Sequence, residues 1–449
     1  MPESKSSQGM EFNKVQREVL RSNSKPEFRA AVGLSREWDA RKAGREVARD
    51  TLEKLGTDPD FFLLFSTIHY EKWGGFKEFL AGVWDVLPEG TPLIGGTVAG
   101  FIIPQGCFVR GATALAVSYP NMDVAVGYGK NTKRNPKKAA KECAEMIKRG
   151  LRGSRYENKF IFSLISGPTM PIFPIFGKKF VIKSKAFGFL TRYLMDVSVV
   201  LLQKGYGRED EVLNALSKLF PDFYFLVGSS SDDNNVVDNY QFFMTNCLTN
   251  SVVALALKID LSLDIVSAHG FKEREICLNV TSKSSGGRII NKLDNSPAVD
   301  RLLKVYKWPS DFLEGWIHRK TFFCPLGFRN KDNMLCPAAI GAIMGNSFSF
   351  SYGITNNELH PLTASGRDLV DVAIKSISKN NQKSQLALVI SCCARLVTLG
   401  EKINYVYDNF KTSYGKKPFL VLYGLGEGVY LPDKSPMYLN ESFNICTFG

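Results

Sequence analysis

The stretch PFLVLYGLGEGVYLP, residues 418–432, carries the reading of this chain. Phe419 to Tyr423 form an unbroken apolar and aromatic run, the pattern of a strand buried on both faces. The chain then passes Gly424, Gly426 and Gly428, with one acid, Glu427, between the last two. Glycine at a strand end permits positive φ or the close approach of another backbone. A carboxylate placed there is either paired inside the protein or directed at a ligand.

The same pattern occurs twice more. FFLLFS (61–66) reads as an apolar strand, followed by a helix from about 75 to 87, the strand PLIGGTVAGFI and then VRGATALAVSY. FIFSLISGP (160–168) opens a second copy, which passes through a helix-rich excursion (169–220) to DFYFLVGSSSDDN and SVVALALKI. LALVISCCAR (386–395) opens the third, followed by a helix from about Ile403 to Tyr414, the 418–432 stretch and ESFNICTFG. Strand, helix, strand with a small-residue turn, then a strand that pairs back by hairpin: the repetition predicts an α/β fold of layered mixed and antiparallel sheets flanked by helices. Ahead of the first copy, AAVGLS reads as a strand. Ser35 is placed to cap a helix through Leu55 that Gly56 stops and that buries Trp38, Ala43, Val47, Leu52 and Leu55.

Length and composition bound the rest. The 449 residues predict two or more domains, and 44% apolar against 22% charged is a globular balance. MPESKSSQGMEFNK contains no apolar segment of the secretory kind. The most hydrophobic helical stretch, AFGFLTRYLMDVSVVLLQ, is broken by Arg192 and Asp196, so no transmembrane segment is expected. Nine cysteines without regular spacing predict free thiols in a cytoplasmic protein, and four scattered histidines predict no metal. Of the net charge of +13, a large share lies between Lys133 and Arg155, where nine cations face Glu142 and Glu145. Asn135-Pro136 starts a helix there, with Ala140, Cys143, Ala144, Ile147 and Leu151 on one stripe and lysines opposite. No aromatic residues interleave with these charges, so they read as a solvated face and nucleic acid is not an expected partner. No phosphate loop, dinucleotide fingerprint, kinase signature or hydrolase triad is present.

LIGGTVAGFIIPQG, FYFLVGSSSDDN, the run from SAHGF to the segment around Tyr306, CPLGF, ISCCAR and YGLGEG with Asn440 follow one another in an order that resembles the FIST family (F-box and intracellular signal transduction proteins). Residues 1–26 are polar and read as a flexible segment; the resemblance implies an amino-terminal FIST domain over 27–305 and a carboxyl-terminal one over 306–449. It implies an intracellular sensor of a small ligand such as an amino acid, signalling through a separate protein partner. The sequence shows no F-box, so ligase recruitment is not expected. Some family members look like haem-based nitric-oxide sensors, which leaves haem open as a cofactor although none is expected.

The ligand-binding candidates gather at the small-residue turns: Gly95, Gly96, Thr97 and Gly100 in the first copy, Gly228, Ser229 and Asp232 in the second, and Gly426 and Glu427 in the third, with Asn440 after it. Arg395 is the natural partner of Glu427. As a pair they read either as a structural ion pair or as a clamp for the two charges of an amino acid. Cys392 is the one catalytic candidate, for a hydrolase, with buried packing as the alternative. His269 reads as a haem or ligand contact or as a hydrogen-bonded structural residue. Asp232 and Asp233 read as a cation contact or, equally well, as turn capping, and Ser365 with Asp368 fits a capping box.

Overall fold

The structure, a computed structural model, describes residues 27–170, 180–313, 315, 317–379 and 384–449. The flexible segment expected over 1–26 and part of the excursion over 169–220 lie outside the described residues. No helix among them is long and apolar enough to cross a membrane.

Three sheets repeat one plan. The first unit contributes β1 (Arg29–Ser35), β2 (Phe61–Ser66), β3 (Leu93–Thr97), the hairpin β4 (Gly100–Ile103) and β5 (Gly106–Phe108), and β6 (Ala112–Ser118). The second contributes β7 (Met122–Lys130), β8 (Asn158–Ser166), the short β9 (Val181–Ile182), β10 (Tyr224–Ser230), the hairpin β11 (Gln241–Phe243) and β12 (Asn246–Leu248), and β13 (Ser251–Ile259). In the third, β14 (Leu263–Ala268) is followed by an insertion: β15 (Lys272–Glu273), β16 (Leu278–Ser284), β17 (Ile289–Leu293), β18 (Ser296–Pro297), β19 (Leu326–Arg329), β20 (Leu335–Ala338), β21 (Ile340–Met344), β22 (Ser347–Phe350) and β23 (Glu358–Thr363). The unit resumes with β24 (Leu386–Cys392), β25 (Phe419–Gly424), the hairpin β26 (Glu427–Tyr430) and β27 (Met437–Leu439), and β28 (Phe443–Phe448).

Each unit builds a parallel pair (β2–β3, β8–β10, β24–β25), and its last strand lies antiparallel beside the first member of that pair. The hairpins do not stay at home. β11–β12 pairs with β3, β26–β27 with β10, and β4–β5 with β25, so each unit completes the sheet of another and the exchange closes a ring of three. The repetition legible in the sequence is therefore real; the exchange of hairpins was not foreseen, because nothing local in a hairpin specifies which sheet edge receives it.

The inner faces of the three sheets share one core, with Phe65, Phe162, Leu226, Ile390 and Leu422 among its members. Helices cover each outer face: Ala40–Leu55 and Gly75–Trp84 over the first sheet, Pro136–Gly150 and Glu209–Leu219 over the second, Gly366–Lys379 and Ile403–Tyr414 over the third. Strands covered on both faces must be apolar throughout, which explains the unbroken runs. The insertion forms its own sheet, in the order β20-β19-β23-β16-β17-β22-β21-β9, against the second and third units.

Local chemistry decides several element ends. The first helix starts one turn later than expected: Asp39 caps it through Lys42 N, Ser35 stays in its strand bonded to Glu46, and Trp38 is exposed. Gly56 ends it at φ 70°. Asn135 caps the basic helix as read, and Ser365 and Asp368 form the expected reciprocal box. Lys133, read as part of a solvated face, is fully buried instead; its ammonium donates to Thr169 Oγ1 at 2.8 Å.

Candidate functional site

The glycine turns meet where the three parallel pairs end. Ser231 N donates to Thr97 O (2.9 Å), Ala99 N to Tyr423 O (2.9 Å) and Leu425 N to Ser229 O (3.4 Å), a cyclic set of bonds that ties each unit to another. The glycines allow the backbones to come this close. A Cβ on Gly95 would sit 1.7 Å from Leu64 O, one on Gly96 2.3 Å from Tyr240 O, one on Gly100 2.8 Å from Phe108 O, and one on Gly426 2.2 Å from the Tyr438 hydroxyl. Gly228 is less constrained, with Ile390 at 3.1 Å from such an atom. Thr97 Oγ1 accepts from Tyr240 N, and Ser229 Oγ donates to Glu209 at 2.7 Å. Asp232 accepts from Val236 N and Val237 N, a turn cap. These turns form a packed hub, and of their residues Leu425 and Asn234 reach the wall of a cavity beside it.

Glu427 is part of that hub. It is fully buried, and its Oε2 accepts from Ser442 N (3.2 Å) and Ser442 Oγ (3.0 Å), while Oε1 has no partner. Burial pushes its carboxyl well above the ordinary carboxylate range. The expected Arg395–Glu427 pair is not formed. The Arg395 guanidinium donates to three backbone carbonyls, those of His269, Glu441 and Leu369, and is spent in holding the helix Gly366–Lys379 and the start of β28 to the end of β24. His269 accepts from Phe271 N through Nδ1, and burial and Arg395 push its imidazole down to about 4.

A cavity opens beside the hub, where the insertion packs on the second and third units. Its volume is about 120 Å³, well above the roughly 10–15 Å³ that one water needs. Phe180, Met195, Ile289, Ile340, Met344 and Phe350 make its apolar wall. The end of β24 supplies Cys392 and Cys393, the loop after β10 supplies Asn234, the exit of β8 supplies Thr169, and the turn into β28 supplies Asn440 and Glu441. Of the residues anticipated from sequence, only Cys392 and Asn440 lie here; Glu441, Asn234 and Thr169 were missed.

These polar groups differ in how they are employed. Asn440 accepts from Ala339 N and Ser351 Oγ and donates to Leu425 O, which stitches the insertion to the third unit. Cys393 donates to Asn234 Oδ1. Burial first, then Cys393 and Glu441, push the Cys392 thiol well up, the opposite of what a nucleophilic cysteine requires. Glu441 stands apart: it is fully buried, its backbone takes φ 61°, and neither carboxyl oxygen has a hydrogen-bond partner. Burial raises its pKa to about 8, against the opposing pull of Arg395. The one signal in the sequence was an acid at the head of the apolar run ESFNICTFG, where a buried strand begins.

Residues 60–296 match the FIST N domain. No curated protein matches the chain. One solved structure, a cyanuric acid hydrolase described under the heading of evolutionary innovation by structural concatenation, aligns with 94% of this chain and 100% of its own at 9% identity and a TM-score of 0.33. The cyanuric acid hydrolase from A. caulinodans aligns with 52% of this chain and 72% of its own at 9% identity and a TM-score of 0.26. The matched span covers more than half of the sequence, and the chain belongs to the FIST family.

Proposed function

We propose that the chain is a small-ligand-binding sensory protein and that its ligand occupies the cavity beside the hub. The observation that carries this reading is Glu441, a residue that lines a largely apolar cavity and whose fully buried carboxyl has no hydrogen-bond partner. An unpaired buried polar group costs about 1–3 kcal/mol, a cost that a ligand donor placed against it removes. Membership of a small-ligand sensory family supports the same reading. The ligand has a compact apolar body and an amine at one end, in the class of amines and amino-acid-derived metabolites. A free amino acid fits less well, because Arg395 is not among the residues that line the cavity and donates instead to three backbone carbonyls.

The helix Lys185–Leu201 lines the cavity with Met195 and exposes Phe189, Tyr193 and Leu201 on its outward side. Ligand contact with Met195 would bias the position of this helix, and a separate signalling protein would read that shift. The carboxyl-terminal FIST domain over 306–449 belongs to the same proposal, with the amino-terminal one over 27–305. Strands on either side of residue 305 share sheets, so the two are expected to fold together.

The test is a thermal-shift screen of the purified chain against aliphatic and aromatic amines, amino acids and haemin. A ligand at a hundred times its dissociation constant stabilises by about 2.7 kcal/mol. The expected result is a shift with amines that disappears in Glu441→Gln. Shifts with haemin alone, or amine shifts that survive the substitution, would overturn the reading.

A further inference from the structure

A second group of chemistry-bearing side chains lies on the inserted sheet, away from the cavity. Cys277, Glu358 and His360 offer a sulfur, a carboxylate oxygen and an imidazole nitrogen, all within 4.8 Å of one another. None of the three lines the cavity. Their spacing in the chain hides this: eighty residues separate the cysteine from the other two.

The strand register brings them together. β16 and β23 are antiparallel, with Leu278 opposite Leu359 and Asn279 opposite Glu358. The same register, continued by one residue, sets Cys277 opposite His360. Side chains two apart on a strand share a face, so Glu358 and His360 project to the same side, and Cys277 lies across from them. The alternate residues, Leu278 and Leu359, are buried on the other side, which fixes the three donors on the outer face. β19 pairs with β23 at His360 through Gly327, which holds the histidine's backbone on the flank away from β16. Among the described residues, no hydrogen bond or ion pair occupies the Cys277 thiol, the Glu358 carboxylate or the His360 ring.

We propose that Cys277, Glu358 and His360 form a binding site for a zinc-like divalent cation. Thiolate, imidazole and carboxylate are the donor types that zinc takes, at roughly 2.0–2.3 Å, and three protein ligands leave a fourth position for water or another ligand. Such bonds place tetrahedral donors roughly 3.3–3.8 Å apart, so the side chains close by about 1 Å on binding, within the reach of exposed rotamers. Binding releases the Cys277 proton to solvent, and the thiolate and carboxylate then neutralise the two charges of the ion. The ion would clamp β16 to β23 near one end of the inserted sheet.

The experiment uses the full chain, stripped with a chelator, desalted, and titrated with Zn²⁺ against a chromophoric competitor, then with Co²⁺ as a spectroscopic probe. The expected result is one tight equivalent of zinc and a thiolate-to-cobalt charge-transfer band, with both lost in Cys277→Ser and the zinc equivalent lost in His360→Ala. Cys277 and Glu358 are exposed and His360 is half-buried, so the variants are expected to keep the wild-type circular dichroism. Absence of stoichiometric binding in the wild type overturns the proposal. A cobalt band that persists in Cys277→Ser also overturns it, since the thiolate would then come from another cysteine.

Discussion

Glu427 and Glu441 are both fully buried acids at the ends of third-unit strands, yet they stand in different surroundings. Glu427 sits in the hub, where backbones approach as closely as glycine permits and Ser442 holds one carboxyl oxygen. Glu441 is among the residues that line a cavity, and neither of its carboxyl oxygens is hydrogen-bonded. The glycine-rich turns mark close packing, and the open space lies at their side, where an insertion carried by one unit alone breaks the threefold plan. A feature present three times serves the architecture, whereas the feature present once borders the cavity.

That contrast can be broken most forcefully at Arg395. Arg395→Ala leaves the carbonyls of His269, Glu441 and Leu369 unbonded in the interior and should destabilise by about 3–5 kcal/mol, read from urea unfolding. A loss below about 1 kcal/mol would mean that those carbonyls find water. In the hub, Gly95→Ala drives a Cβ against Leu64 O and should cost about 3 kcal/mol by the same measurement, because the atom it meets is backbone and cannot turn aside.

At the cavity the expected effect is a pH dependence. The folded-state pKa of Glu441, about 8, lies above its unfolded value near 4.5, so the folded protein holds a proton that the unfolded chain releases. This group's contribution to stability is therefore fully present below about pH 4.5 and is lost as pH rises to 8 and beyond. Glu441→Gln should flatten the fall in melting temperature across that window and leave the variant the more stable protein at pH 9. An unchanged slope would remove Glu441 as its source. The smallest effect is expected at Glu427→Gln, whose amide oxygen can still accept from Ser442; a change within about 1 kcal/mol would set the packed acid apart from the cavity acid.

Much of this architecture could be read in the chain. Phe61–Ser66, Tyr224–Ser230 and Phe419–Gly424 announce buried strands because both their faces are covered, and Asn135, Gly56 and Ser365 mark helix ends through local hydrogen bonds or local φ. The candidate site was legible only in part. Cys392 and Asn440 were found because they stand beside a recognisable turn, while Lys133 was misread because its fellow charges are exposed and helical spacing does not show that one lysine turns inward to Thr169.

The sequence by itself determined the strands, the helices, their threefold recurrence and the closeness of the glycine turns, because hydrophobic period, capping and backbone freedom act within a few residues. The tertiary structure alone decided which sheet edge receives each hairpin, that Arg395 binds carbonyls and leaves Glu427 to Ser442, that Glu441 comes to line a cavity, and that Cys277 meets His360 across a strand pair. Those outcomes depend on contacts between residues tens to hundreds of positions apart, and no local preference encodes them.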